Sequence, residues 1–393
     1  MDVFERSLQL HEALRGKISV ENKMDIRTTE DLSLAYSPGV AAPCEAIHND
    51  PAKVYDYTIK GNTVAIVSDG SAVLGLGNIG PLAAIPVMEG KGMLFKRFAG
   101  INGFPICIST QKTDELIQVI RNIAPVFGGI NLEDISSPRC FEVEESLQDL
   151  GIPVFHDDQH GTAIVVLAAL MNYCRLTSRR LEDLRIVING AGAAGIAIAR
   201  YLGRRDFTAT NQKIVREIVM CDTMGIIHRN RLGLQGIKYD LLAYTNPRNL
   251  SGTLEHALVG MDVFIGVSKA NILNRDHIRL MAKDPLILAL ANPIPEILPD
   301  EARAGAAFIV GTGRSDFPNQ VNNVLAFPGI FLGAFQARAP KITLNMKFAA
   351  AGAIASAVTQ PTPTMIIPPA LDESVAHRVA SAVAESSRGQ SAM

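Results

Sequence analysis

The sequence predicts an α/β protein whose first half mixes helix and strand and whose second half is a doubly wound parallel sheet. Three observations predict it. The 393 residues are too many for one ordinary domain and suit two. Hydrophobic residues make up 48% and charged residues 19%, a balance that buries a large core. Near residue 155 the pattern changes to short apolar runs alternating with helical segments. Right-handed crossovers turn such an alternation into a parallel sheet covered on both faces. The expected domains are therefore 1–155 and 156–393.

In the first half, Val3–Leu14 has apolar residues at helical spacing, with Gly16 as a stop. Thr63–Ser68 is a β-branched run ending in Asp69-Gly70, a buried strand entering a turn. Residues 104–108 and 153–155 read as short strands, and 114–123 as a helix. After His160, residues 162–174 are apolar almost all round, so they form a buried helix rather than a surface one. Strand Arg185–Asn189, helix 194–202 and strand 218–221 follow. Further apolar runs lie at 262–267, 286–291 and 306–310. Ala-rich helices at 349–358 and 373–384, separated by a Pro-rich stretch, close the chain.

Composition excludes several roles. The formal net charge is −2, without blocks of like charge, which argues against a nucleic-acid or anionic-membrane partner. Trp is absent and aromatics are 6%, too few for a single-strand stacking platform. No apolar run reaches the about 18 residues needed to span a bilayer, and the charged first fifteen residues do not resemble a secretory signal. The five cysteines never form a C-x-x-C pair, and read as reduced, packed thiols of a cytoplasmic protein.

The spacing G-x-G-x-x-G occurs twice. Gly190-Ala191-Gly192-Ala193-Ala194-Gly195 directly follows a strand and opens an unbroken helix. That is the Rossmann context, in which glycines admit the pyrophosphate and the helix N-terminus supplies free N–H donors. The next strand ends in Cys221-Asp222, where an acidic side chain is placed to hold the adenosine ribose. Residues 204–216 fill a connection longer than usual. The other copy, Gly75 to Gly80, is followed by Pro81 and has no strand running into it, so it reads as a loop near the substrate.

Two acidic pairs stand out, Glu133-Asp134 and Asp157-Asp158, each at the end of a short apolar segment. Hard cations such as Mg²⁺ or Mn²⁺ take oxygen ligands and keep positions open for water or substrate, which carboxylates from two loops provide. Asp158 equally suits a cap on a helix that starts near Gly161, where N-terminal acids are favoured. The residues alone leave both readings open.

The chain resembles the short bacterial malic enzymes along nearly its whole length. The matching words, in the family's order, are Leu34-Ala35-Tyr36-Ser37-Pro38-Gly39-Val40-Ala41, Ser68-Asp69-Gly70-Ser71 with Leu74-Gly75-Leu76-Gly77, and Phe98-Ala99-Gly100-Ile101. They continue with Asn131-Leu132-Glu133-Asp134, His156-Asp157-Asp158-Gln159-His160-Gly161-Thr162-Ala163, the Gly190 fingerprint, Ala291-Asn292-Pro293 and Asn319-Gln320-Val321-Asn322-Asn323. The resemblance implies an N-terminal substrate and metal domain and a Rossmann-type dinucleotide domain. Its reaction is oxidation of L-malate by NAD or NADP with decarboxylation to pyruvate, aided by Mg²⁺ or Mn²⁺, and it implies a homodimer or higher homo-oligomer. Glu133, Asp134 and Asp158 match the family's metal ligands, Lys91 its general base, Asp157 the carboxylate supporting that base, and Tyr36 its general acid. Asn292 and Asn323 match amides near substrate and nicotinamide. Ala72 stands where animal-type members carry an arginine, which leaves malate's carboxylate without an assigned partner; Arg314 is a candidate.

These residue types suit the chemistry. A lysine serves as base when burial and a nearby cation lower its pKa. By spacing alone Lys60 and Lys96 are equally eligible, and Tyr36 before Ser-Pro-Gly fits a turn-packing role. A metal stabilises the charge left by decarboxylation, and a tyrosine can return a proton to carbon. Two other classes compete: a lyase that retains its dinucleotide, and a catalytically dead dinucleotide sensor, against which Tyr36, Lys91 and the three metal carboxylates argue. Asp222 would repel a 2′-phosphate and favours NAD, unless Arg216, Arg229 or Arg231 swings to the ribose.

Overall fold

The computed structural model describes residues 2–203 and 214–391. The connection expected within 204–216 therefore lies largely outside the described residues. Two parallel sheets organise the chain. The first contains β1 (Thr63–Ser68), β2 (Asn102–Cys107), β3 (Gly129–Leu132) and β4 (Val154–His156), in the order β2-β1-β3-β4. The second contains β5 (Arg185–Asn189), β6 (Glu217–Asp222), β7 (Gly225–Ile226), β8 (Val263–Gly266), β9 (Leu286–Ala289) and β10 (Ile309–Thr312). Its order is β10-β9-β8-β5-β6-β7, parallel except for the antiparallel edge strand β7. This is the doubly wound order of dinucleotide-binding sheets, with its switch point between β5 and β8.

Sequence pattern explains most elements. β1, β8 and β9 are buried throughout and read as continuous apolar runs, as parallel strands covered on both faces must. Helix Asp157–Thr177 is apolar all round because it lies in the core that the two sheets share. It begins earlier than its apolar run, so Asp157 and Asp158 occupy its first turn. Among the elements that were not legible, two carry residues of the site. β3 was hidden in Gly-Ile-Asn-Leu, whose central Asn131 breaks the apolar run. Helix Gly80–Ala99 was hidden by Pro86 and four glycines at or within its ends; it carries Lys91 on a buried face. Lys91 is thus not in a solvated turn. Phe327 and Phe331, on helix Phe327–Gln336, pack on Phe95 with ring centroids 4.7 and 5.4 Å away. Residues far apart in sequence thereby close one core around the site.

Candidate active site

The acidic pairs stand at the C-terminal ends of neighbouring strands, where open parallel sheets place ligands. Glu133 and Asp134 follow β3; Asp157 and Asp158 follow β4. One ligand oxygen from each of Glu133, Asp134 and Asp158 lies within 4.8 Å of the others. Asp158 Oδ2 accepts the Asp134 backbone N–H at 2.8 Å, joining the two loops. No side chain caps helix Asp157–Thr177, so Asp158 turns to the facing loop instead of capping its own helix. Asp134 sits at φ 54°, the left-handed region that acidic and amide residues tolerate better than most.

Lys91 reaches into this cluster from its helix. Its Nζ pairs with Glu133 Oε1 at 2.7 Å and with Asp157 Oδ2. Asp157 is fully buried, and Gly161 explains how it fits: a Cβ there would lie 2.0 Å from Asp157 Oδ1. Asn323 Nδ2 donates to Asp157 Oδ2 at 3.1 Å, and its Oδ1 accepts from Thr162 at 3.1 Å. Asn131 Nδ2 donates to Glu133 Oε2 at 2.9 Å. Behind them Arg139 binds Asp69 at 2.8 Å and Ser71 at 3.0 Å, and Ser71 accepts the Ser136 N–H at 2.9 Å. That network ties the Asp69–Ser71 turn to the acidic loop. Sequence reasoning missed Asn131, Thr162 and Arg139. The matching words contained the first two, as neighbours of the acidic pairs without a role of their own, but nothing local to 139 pointed to the site.

The electrostatics differ from expectation in one respect. Burial pushes Lys91 down, but Asp157, Glu133 and Asp158 outweigh it, so the ammonium is held above its ordinary value. Conversely, burial and then Asp158 push Asp134 up to about 8, and burial holds Glu133 well above the carboxylate range despite Lys91. Too much negative charge is desolvated here for one ammonium to balance. Asp134 Oδ2 and Asp157 Oδ1 are buried without a partner. Three converging carboxylates, one of them carrying the unpartnered Asp134 Oδ2, fit a hard divalent cation.

A cleft of about 690 Å³ opens over this cluster. Lys91, Glu133, Asp134, Asp157, Asp158, Asn292 and Asn323 all line it. So does Ala194, at the start of helix Ala193–Gly203, which brings the glycine turn to the same cavity. Gly190 (φ 124°) and Gly195 leave no room for a Cβ, which would lie 2.5 Å from Val267 O and 1.8 Å from Gly190 O respectively. At Gly192 a Cβ would meet nothing within 4 Å. The first and third glycines thus serve tight packing, whereas the second keeps backbone open to an approaching phosphate. Gly75 of the other copy also lines the cleft, and its Cβ would strike Asn292 O at 2.4 Å.

Three expectations land elsewhere. Tyr36 follows the short helix Thr29–Ala35, is 68% exposed and does not line the cleft. Arg314 is held by Asp316 at 2.7 Å and by the Pro293 carbonyl, outside the cleft lining. Asp222 ends β6 as expected, but Arg231 and Lys238 each pair with it at 2.8 Å. Although burial opposes it, these partners hold its carboxyl down at about 2. Its charge is matched within the protein rather than left free for a ribose.

Family models agree with this picture. Residues 15–148 match the malic enzyme N-terminal domain and residues 159–388 the malic enzyme NAD-binding domain. The chain is 52% identical to the bifunctional malic/malolactic enzyme of Bacillus subtilis, over 98% of this chain and 93% of that one. It is 46% identical to an NADP-dependent malic enzyme of Halomonas elongata, covering 94% and 90%. The crystal structure of an NAD-dependent malic enzyme from Thermotoga maritima superposes with a TM-score of 0.91 at 49% identity, covering 98% and 99%.

Proposed function

The chain belongs to the malic enzyme family, and from that premise we propose how its residues divide the oxidative decarboxylation of L-malate to pyruvate and CO₂. Glu133, Asp134 and Asp158 would hold Mg²⁺ or Mn²⁺, which would supply Lewis-acid stabilisation of the charge that decarboxylation leaves on oxygen. Lys91 would take the hydroxyl proton of malate, and the turn Gly190–Gly195 would hold the dinucleotide, which would supply the hydride acceptor. Asp157, fixed by Asn323 and Gly161, orients Lys91. Asn292 and Asn323 contact substrate and nicotinamide. Tyr36 protonates C3 of enolpyruvate. The observation that carries this reading is the convergence of Lys91 and three carboxylates in the cleft that the glycine turn also reaches. We assign substrate and metal binding to 1–155 and dinucleotide binding to 156–393, supported by the two family-model matches. We also propose a cytoplasmic homodimer without nucleic-acid or membrane partners. The described cysteines are free thiols, and no described helix is long and apolar enough to cross a membrane.

The test is Asp158→Ala. Malate oxidation should fall by orders of magnitude at limiting Mn²⁺ while dinucleotide binding, measured by fluorescence or calorimetry, survives. Near-normal turnover at limiting Mn²⁺ would sink the metal assignment. The preference for NAD is proposed as weak. Asp222 stands where the ribose arrives, but Arg231 and Lys238 balance its repulsion of a 2′-phosphate.

A further inference from the structure

Glu296, in the loop that follows β9, is fully buried, and among the described residues no cation pairs with it. Burying a carboxylate without a counter-charge is costly unless hydrogen bonds meet it. Backbone amides meet it here, one on each oxygen. Oε1 accepts the Ser268 N–H at 3.0 Å and Oε2 the Ala291 N–H at 3.0 Å. Ser268 follows β8 and Ala291 follows β9, so one side chain bridges the ends of two neighbouring strands. Burial raises its carboxyl above the ordinary value, and the two amides pull against that rise.

The surroundings are shaped for this bridge. Gly266, the last residue of β8, keeps its space: a Cβ there would lie 2.4 Å from Glu296 Cδ. The Glu296 carbonyl accepts the Leu273 N–H at 3.0 Å and the Pro295 carbonyl accepts the Asn271 N–H at 3.1 Å, so the two loops stay paired beyond the carboxylate. The Ser268 hydroxyl also accepts from Asn189 Nδ2 at 2.6 Å, and Asn189 is the residue before the glycine turn. One chain of contacts therefore runs from the turn, through Ser268 and Glu296, to Ala291 and its neighbour Asn292.

Ser268, Ala291 and Asn292 all line the cleft, whereas Glu296 and the described residues at the end of β6 do not. A dinucleotide lies across the switch point with its two halves on opposite sides. The acidic cluster shares its cleft with the ends of β8 and β9, so the nicotinamide half must lie over those strand ends to reach a substrate held beside Lys91.

We propose that Glu296 is a positioning residue for hydride transfer, clipping the loop after β8 to the loop after β9 and so fixing the surface that the nicotinamide half meets. This rests on the reading of the chain as a dinucleotide-dependent malate oxidase. Glu296 acts through Ser268 and Ala291, not by touching the reactants. A carboxylate suits the task because each of its oxygens faces one amide as an acceptor. A glutamine of equal size would turn its NH₂ towards one of them.

The experiment compares wild type with Glu296→Gln, measuring by calorimetry the affinity for NADH and for ADP-ribose, which lacks the nicotinamide. Glu296→Asp replaces the glutamine variant if that fails to fold. ADP-ribose should bind both proteins within about twofold, because its groups belong to the glycine turn and the β6 side. NADH should bind the variant about tenfold more weakly, the scale of one lost hydrogen bond to a charged group. The kcat for malate should fall about 10²-fold, which a misplacement of about 1 Å at a reacting centre can cost. Mn²⁺-dependent decarboxylation of oxaloacetate without dinucleotide needs no hydride transfer and should keep its wild-type rate. Equal weakening of NADH and ADP-ribose, or a parallel fall in oxaloacetate decarboxylation, would make Glu296 a support of the fold as a whole and overturn the proposal. Unchanged NADH affinity and malate turnover would overturn it as well. A wild type that does not oxidise malate would sink the functional reading instead, and the two affinities would still decide whether Glu296 holds the nicotinamide surface.

Discussion

Lys91 faces four carboxylates, and the sign of its pKa shift follows from that count. With Glu133, Asp134, Asp157 and Asp158 around it the ammonium is held protonated; positive charge placed among three of them weakens the field that holds the proton. Lys91→Ala should therefore suppress hydride transfer from malate by about 10²–10⁴-fold, with partial rescue by a small external amine. Tyr36→Phe should not respond to amine but should slow proton exchange at the pyruvate methyl group; wild-type exchange in that variant would make Tyr36 a packing residue. At the end of β6, Asp222 shares its charge with Arg231 and Lys238. Wild-type kcat/KM should thus favour NAD by no more than about tenfold, near 1.4 kcal/mol, and Asp222→Ala should shift the ratio towards NADP. A much higher wild-type kcat/KM for NADP would contradict this. Lys91 emerged only through the family resemblance, since spacing left Lys60 and Lys96 equally eligible, whereas the carboxylates and the glycine turn were legible because each sits in a distinctive word. Partners such as Thr162 and Arg139 were not, since their roles arise from contacts between loops 68 to 161 residues apart.

The start of helix Asp157–Thr177 is the element on which the site turns. One turn beyond the acids, His160 Nε2 lies 2.8 Å from Glu144, and its Nδ1 lies 3.0 Å from the Tyr201 hydroxyl on the helix after the glycine turn. Burial, above all, lowers His160 from 6.5 to about 4 although Glu144 opposes it. Between these values the unfolded chain binds a proton that the folded chain refuses. The contribution of His160 to stability is therefore full above pH 6.5 and is lost as pH falls towards 4. Comparing urea midpoints across this window, His160→Gln should show a shallower acid loss than the wild type; parallel curves would show that His160 titrates normally. Strands of continuous β-branched residues and helices of continuous apolar character were readable here. Helix Gly80–Ala99 was not, because intrinsic propensity argues against Pro86 and its glycines while tertiary packing overrides it.

At the scale of the whole molecule, two switch-point sheets face one cleft. The first presents acids from β3 and β4, and the second presents the glycine turn from β5, so the acidic cluster and the glycine turn meet at one cleft. The change of pattern near residue 155 showed the division into two halves. It did not show that helix Phe327–Gln336 returns to pack on Phe95 of the first half, a contact between residues more than 200 apart in the chain. The most direct measurement follows reduced nicotinamide by absorbance with L-malate, using NAD and NADP in turn, with Mn²⁺ and after its removal by a chelator, while pyruvate and CO₂ are counted. One pyruvate and one CO₂ per reduced dinucleotide, lost on chelation and restored by Mn²⁺, is the predicted result. Reduction that continues unchanged in the chelated enzyme, or pyruvate formed without reduced dinucleotide, would contradict it.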